Sequence, residues 1–249
     1  MSARTHDPIT RVIAELKLPA TFVGHPPDLH RSIPFVGIDN VGSARAITER
    51  LAATGRRHIG MIAAALDRDS GADRLTGFRA ALGARFDPRL VAEVPLYDYA
   101  SGVKGMRELL EREPGIDGVF AASDAVAAGA MEVLRDAGRG VPSDVGIVGF
   151  DDSSWASRTQ PALSTVHQPA REIGRNAAEL VLRQLRDEGA ANVLLPTPHR
   201  LARVRLSHRA AQSYDRSPNG LRVTNAFAPA ADVRVSNSSE SLSVRKRSG

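Results

Sequence analysis

The chain has 249 residues, of which 42% are hydrophobic and 24% are charged, so it can bury one large hydrophobic core or two modest ones. It contains no cysteine, which excludes disulfide scaffolds, thiolate zinc sites and cysteine nucleophiles. No apolar run is long enough to cross a bilayer, and the first fifteen residues lack the apolar segment of a secretory signal. We therefore expect a soluble, cytoplasmic protein.

The formal net charge of +5 lies mostly at the C-terminal end of the sequence. Residues 209–249 contain seven Arg or Lys and three Asp or Glu, which leaves a net charge of +1 on residues 1–208. A surface that follows the phosphates of a nucleic acid needs clustered cations rather than a high total. The charge therefore does not indicate a nucleic-acid-binding face on residues 1–208.

Strand and helix patterns alternate over residues 35–185 with turn residues between them, which is typical of βα units on a parallel sheet. In chain order the pattern predicts a helix ending near Gly55, a strand over 58–63, a helix over 74–82, a strand over 90–95, a helix from Ser101 to Pro114, a strand over 118–122 and a helix from Ser123 or Asp124 to Gly138.

The alternation changes after a strand that ends at Phe150. The pattern then predicts an acidic, serine-rich loop to Pro161, a short strand over 163–166, a long helix through Leu185 and extended runs within 193–206. A long helix after the change suggests that the chain crosses to a second subdomain. The last residues, 209–249, are rich in Ser, Asn, Pro, Ala and Arg and predict a disordered tail.

Polar side chains follow two of the predicted strands. Ser123 and Asp124 follow the strand over 118–122, and Asp151 follows the strand that ends at Phe150. Open α/β sheets bind small molecules at the carboxyl ends of their strands. These positions therefore predict a small-molecule site, although Asp124 also suits the first turn of a helix, where a carboxylate complements the helix dipole.

The residue types suit a hydroxylated ligand, which needs hydrogen-bond acceptors, donors and an apolar surface. Asp151 can accept from two hydroxyls of a vicinal diol, and Arg74 offers a planar set of donors. Tyr97, Phe150 and Trp155 could stack on a sugar ring. Each also has a structural interpretation: Asp151 as part of a solvated turn, Arg74 as a surface arginine, Tyr97 as packing and Trp155 as a residue outside the site.

Seven short motifs occur in one order along the chain: VGIDN at 36–40, TGRRHI at 54–59, DRLTGFR at 73–79, VFAASD at 119–124, VPSDV at 141–145, GFDD at 149–152 and PALSTV at 161–166. With them the sequence resembles the effector-binding domain of LacI/GalR-family bacterial transcriptional regulators over roughly residues 17–207. A single motif would be weak, and the ordered series is specific. The resemblance implies an α/β fold of the periplasmic-binding-protein-like type I, a parallel sheet with flanking helices.

The resemblance also implies how the chain is divided. It predicts a partial N-terminal subdomain over 1–35, with a strand at 18–23, and a complete C-terminal, effector-binding subdomain over 36–167. A crossover helix over 168–195 returns to the N-terminal subdomain, and 196–208 forms the final strands of the C-terminal one. Family members begin with a helix-turn-helix that reads the major groove. This sequence has no such segment, so we expect it to be truncated at its N-terminus. The missing strands would make the remnant unstable or prone to aggregate.

Family resemblance assigns Arg74, Tyr97, Ser123, Asp151 and Gln168 to the effector pocket. It implies a sugar or related metabolite as the effector, a homodimer, operator DNA as a partner through the helix-turn-helix, no membrane partner and no cofactor. Ser123 stands where the family usually has Asn, and Gly24 where many members have Asp. The resemblance further implies an allosteric mechanism, in which the effector favours one orientation of the two subdomains.

No catalytic motif accompanies these residues, so we expect no enzymatic activity. The seven histidines show no metal-binding spacing, and His167 with Asp151 and a loop serine would form a triad without an evident oxyanion site. Two alternatives to a regulator are a sugar-binding receptor of a transport system, which shares the hinged two-subdomain architecture, and a truncated regulator without function.

Overall fold

A computed structural model of the protein describes residues 8–25 and 33–200, in which helices and strands alternate. The helices are α1 (Pro8–Glu15), α2 (Asn40–Ala52), α3 (Asp69–Leu82), α4 (Tyr99–Arg112), α5 (Asp124–Asp136), α6 (Ser154–Arg158) and α7 (Ala170–Leu185). The strands are β1 (Phe22–Val23), β2 (Phe35–Ile38), β3 (Ile59–Ala64), β4 (Val91–Val94), β5 (Gly118–Ala121), β6 (Gly146–Val148), β7 (Thr165–Val166), β8 (Val193–Leu195) and β9 (His199–Arg200).

The larger sheet has four parallel strands in the order β4-β3-β5-β6. Every residue of β3, β5 and β6 is buried, as expected for a parallel sheet that is covered by helices on both faces. Three fully buried rings, Phe78, Phe120 and Phe150, pack in series through this core. The α/β architecture predicted from the alternating pattern is confirmed, with strand bounds within about two residues of the predicted ones.

A smaller parallel sheet has the order β1-β2-β8 and packs against α7. Val36 pairs with Val193 and Ile38 with Leu195. The backbone hydrogen bonds of β2 therefore place residues 36–38 in the smaller sheet, whereas the predicted boundary assigned them to the part over 36–167. Strand β8 returns the chain to this sheet and ends at Leu195, the last residue of the predicted 168–195 segment.

Three connections join the smaller sheet to the rest of the fold: the step from β2 to α2, the step from β7 to α7, and the step from β8 to β9. Strands β7 and β9 pair as a separate two-stranded antiparallel sheet. Side chains hold these connections together. The hydroxyls of Ser43 and Thr197 share a hydrogen bond between the first and third connections. Asp152 accepts from Arg200 Nη1 at 3.0 Å and lies 2.9 Å from His167 Nδ1. The relative position of the two sheets thus depends on a few polar contacts near residues 38–43, 166–170 and 195–200.

Helix ends follow local chemistry, with some differences from the predicted bounds. Helix α4 begins at Tyr99 rather than Ser101, because the carboxylate of Asp98 accepts from the Ser101 amide. The loop after Phe150 contains the short helix α6, and α1 was not predicted at all. Gly55 and Gly138, predicted as helix ends, both have positive φ angles, which glycine adopts without steric cost.

Helices α4 and α5 approach each other closely at two glycines. A Cβ on Gly129 would lie 2.1 Å from the Tyr99 carbonyl oxygen, and one on Gly102 would lie 2.0 Å from the Val126 carbonyl oxygen. Both distances are far below van der Waals contact, so glycine is required at both positions for this packing.

Two expectations fall outside the described residues: the disordered tail over 209–249 and the strand residues beyond Arg200. Within 8–25 and 33–200, no helix is long and apolar enough to span a bilayer.

Candidate functional site

A cleft of about 340 Å³ opens between the carboxyl ends of the two parallel sheets. Because parallel strands end at the same edge, residues that are distant in sequence meet there. The smaller sheet supplies the residues after β1 and β2, and the larger sheet supplies the residues after β3, β4 and β6. The lining consists of Val23, Gly24, Ile38, Asn40, Arg68, Ser70, Arg74, Tyr97, Asp151, Gln168 and Ile173.

Arg74 lies in α3 and is only 5% exposed. Its Nη1 donates to the Ala122 carbonyl oxygen at 2.6 Å, and its Nε donates to Asn40 Oδ1 at 3.1 Å. Its guanidinium carbon lies 3.7 Å from the centre of the Phe150 ring. These contacts hold one planar face of the guanidinium against the larger sheet and leave little conformational freedom.

Asp151 begins the loop after β6 with a φ of +102°. Its Oδ1 accepts from Arg74 Nη2 at 3.3 Å, and its backbone is held by hydrogen bonds to Val166 and from Gln168. Burial raises the pKa of Asp151, and the charge of the neighbouring Arg74 guanidinium opposes this rise. A carboxylate has about four acceptor positions, so Asp151 can accept further hydrogen bonds from a ligand.

Gln168 extends the same polar surface, since its Oε1 accepts from Arg74 Nη2 at 3.4 Å. Its side-chain NH₂ group can then donate toward a ligand. On the β3 and β4 side of the cleft, Ser70 Oγ and the Tyr97 hydroxyl lie 3.1 Å apart and share a hydrogen bond. The cleft therefore offers carboxylate, amide and hydroxyl groups together with the apolar side chains of Val23, Ile38 and Ile173.

Of the five predicted effector contacts, Arg74, Tyr97, Asp151 and Gln168 line this one cleft. Ser123 does not line it. Its hydroxyl accepts from the Val126 amide at 3.3 Å and so serves as the N-cap of α5.

Sequence reasoning missed three polar residues of the lining: Asn40, Arg68 and Ser70. A local signal was present for Asn40, which stands two residues after β2, whereas Arg68 and Ser70 stand farther along the chain, between β3 and the body of α3. Polar residues shortly after a buried parallel strand, such as Asn40 and Asp151, indicate this kind of lining.

Asp124 lies beside the cleft but not in its lining, and it is fully buried. Its Oδ2 accepts from the Ser153 amide at 2.7 Å, and its Oδ1 accepts from the Thr165 hydroxyl at 2.6 Å. Burial raises the pKa of this carboxyl to about 6. The side chain ties the start of α5 to the loop after β6 and to β7.

The other residues considered from the sequence lie elsewhere. Trp155 is outside the cleft and stacks on Tyr99 with ring centres 5.5 Å apart. His167 contacts Asp152, as described above, and the Ser153 hydroxyl accepts from the Trp155 amide at 3.3 Å. The described residues hold no group of three or more His, Asp or Glu side chains that could bind a metal ion.

Comparison with protein families matches residues 48–206 to the periplasmic binding protein-like domain. The HTH-type transcriptional regulator CelR of Thermobifida fusca is 40% identical over 199 residues, which cover 78% of this chain and 58% of that protein. The chain spans about half the length of the curated relatives that it matches.

Solved structures of transcriptional regulators are also similar to this chain. A transcriptional regulator CelR–cellobiose complex matches with a TM-score of 0.74 at 38% identity, over 80% of this chain and 62% of that chain. The transcriptional regulator LacI from Bacillus cereus subsp. cytotoxis matches with a TM-score of 0.77 at 25% identity, over 81% of this chain and 73% of that one.

Proposed function

The chain belongs to the LacI/GalR family of bacterial transcriptional regulators, and on this premise we propose that it is the sensor portion of such a regulator. It binds a small, sugar-like effector in the cleft between the two sheets. The observation that carries the proposal is the convergence of Arg74, Tyr97, Asp151 and Gln168 on that cleft.

The geometry supports a ligand rich in hydroxyl groups. Asp151 accepts from ligand hydroxyls, and the Gln168 amide donates to ligand oxygens. Arg74 is already engaged by four protein groups, so its main contribution is to hold Asp151 and Gln168 in place. The structure of the related CelR regulator contains cellobiose, which supports a sugar as the ligand class here.

Binding between the sheets supports an allosteric mechanism. An effector that contacts both sheets favours the relative orientation in which both sets of contacts form, and the coupling equals its differential affinity for the two orientations. We propose that this orientation controls operator DNA through a helix-turn-helix of the kind named in CelR, in a cytoplasmic homodimer. Sedimentation of the purified protein at micromolar concentration should give twice the chain mass.

Thermal unfolding in the presence of sugars tests the binding proposal. A ligand that binds only the folded state at one hundred times its Kd adds about 2.7 kcal/mol to the free energy of unfolding. Cellobiose, glucose, ribose and cytidine form a first panel, and at least one carbohydrate should raise the Tm. The ligand should also be recovered chemically unchanged, because we propose a binding protein and not an enzyme. Failure of a broad carbohydrate and nucleoside library to raise the Tm would contradict the proposal.

A further inference from the structure

The cleft has an unbalanced charge. Three charged side chains line it among the described residues: Arg68, Arg74 and Asp151. Arg74 and Asp151 form an ion pair at 3.3 Å, which leaves Arg68 without a counter-charge in the lining. Within 8–25 and 33–200, no carboxylate oxygen forms a salt bridge with Arg68. Among the described residues of the lining, Arg68 is therefore the charged group that no carboxylate of the lining balances.

Arg68 also has an unused hydrogen-bond donor. Its Nε is buried from solvent and has no hydrogen-bond partner. A buried charged donor without an acceptor is unfavourable, and native structures rarely leave one unless a ligand or water satisfies it. The position of Arg68 in the lining makes a ligand oxygen the natural acceptor.

The backbone around Arg68 favours the same kind of ligand group. Arg68 is the N-cap residue of α3, and its side chain makes no capping hydrogen bond. The start of a helix carries a partial positive charge and amide groups that point away from the helix, which favours a negatively charged group. Asp69 offsets part of this field from the first turn, but it does not line the cleft. Ser70 and Tyr97 add two hydroxyls beside the same position.

We propose that the effector is a sugar-like molecule with one acidic group, a carboxylate or a phosphate, that binds Arg68. This inference rests on the proposed function of the cleft and names the class of its ligand. A neutral sugar could satisfy the Arg68 donor, but it would leave the charge of a partly buried guanidinium without a counter-charge in the lining. An acidic group both accepts a hydrogen bond from Arg68 and balances its charge.

The sheet order fixes how such a ligand lies. Arg68 follows β3, and Asp151 follows β6, two strands away in the order β4-β3-β5-β6. Two strand spacings amount to about 10 Å. The acidic group therefore binds on the β3 and β4 side, and hydroxyl groups about one sugar ring away reach Asp151 and Gln168.

Calorimetric titration with matched ligands tests the proposal on the full chain. Glucose is the neutral counterpart of glucuronate and glucose 6-phosphate. Cellobiose and cellobionate form the matching neutral and acidic pair for a disaccharide. The wild-type protein should bind at least one acidic probe ten-fold or more tightly than its neutral counterpart. Glucuronate and glucose 6-phosphate distinguish a carboxylate from a phosphate as the preferred group.

Arg68→Gln should reduce that preference to less than three-fold, and Arg68→Lys should keep part of it because the charge remains. Arg85→Gln, which removes an exposed arginine outside the cleft, is the matched control and should leave the preference unchanged. Melting curves for all three variants show that each is folded before titration. If neutral probes bind as tightly as their acidic counterparts, the acidic class is overturned while the proposed function stands. If none of these probes nor any member of the broader library binds, both proposals are contradicted.

Discussion

The guanidinium carbon of Arg74 lies 3.7 Å from the centre of the Phe150 ring, in the wall of the cleft. Stacking on the ring and hydrogen bonds to Asn40 and Ala122 orient the group, and its remaining donor then faces Asp151 and Gln168. An arginine in α3 thus connects residues that follow four strands of three sheets. Its planar shape is essential to this role, since a point charge could not stack and form several directed bonds at once.

Arg74→Lys should therefore weaken the protein although the charge is preserved. The lysine ammonium cannot reach Asn40, Ala122 and Asp151 together, and buried acceptors would be left unsatisfied. We expect the free energy of unfolding to fall by about 2 kcal/mol, which urea denaturation measures. Arg107→Lys, at an exposed position of α4, should change it by less than about 0.5 kcal/mol. Equal effects of the two substitutions would contradict the proposed role of Arg74.

Asp124 should make stability depend on pH. Its pKa is raised from 3.8 to about 6 in the folded protein, so between these values the unfolded state releases a proton that the folded state retains. The associated stability is fully present below pH 3.8 and is lost as the pH rises through 6. A shift of about two pKa units corresponds to about 3 kcal/mol.

Asp124→Asn removes this titration because an amide side chain does not ionise. The amide oxygen can still accept a hydrogen bond. From pH 4 to pH 7, the free energy of unfolding of the wild type should fall by up to about 3 kcal/mol relative to that of Asp124→Asn. Asp136→Asn, at an exposed position in the same helix, serves as the control. A difference that stays constant across this range would show that Asp124 does not titrate there.

A glycine-to-alanine substitution should have opposite effects at Gly129, where α5 packs closely against α4, and at Gly174, which has open space around it in α7. Gly129→Ala would place a Cβ 2.1 Å from the Tyr99 carbonyl oxygen and should lower the free energy of unfolding by about 1–3 kcal/mol. Gly174→Ala in α7 meets no atom within 4 Å and should raise it by about 0.5–1 kcal/mol. Chemical denaturation of both variants gives the comparison, and a shift of the same sign in both would argue against the helix contact.

Much of the fold could be predicted from the sequence because buried parallel strands are short apolar runs between turn residues. The run that forms β5 and the glycine at 138 are clear local signals. The pairing of β2 with β8 could not be predicted in this way, because it joins residues about 157 positions apart and depends on backbone hydrogen bonds rather than on a local pattern.

Asp151, a polar residue that directly follows a predicted strand, lines the cleft. Ser123 follows a strand too, but a helix begins one residue later, and its hydroxyl accepts a hydrogen bond from the Val126 amide in the first turn of that helix. Arg68 was missed because an arginine before a helix has no distinctive local signal. Only the folded structure shows that Arg68 lines the cleft and that its Nε is buried without an acceptor.

Binding in the cleft is tested most directly by titrating the best ligand from the carbohydrate library into wild type and Asp151→Asn. Asparagine tolerates the positive φ at this position, so the backbone should be preserved, while a charged acceptor is lost. We expect calorimetry to give a Kd at least ten-fold weaker for Asp151→Asn, and an unchanged Kd for the control Asp136→Asn. Equal affinity of wild type and Asp151→Asn would mean that the ligand binds elsewhere, and would contradict the cleft as the effector site.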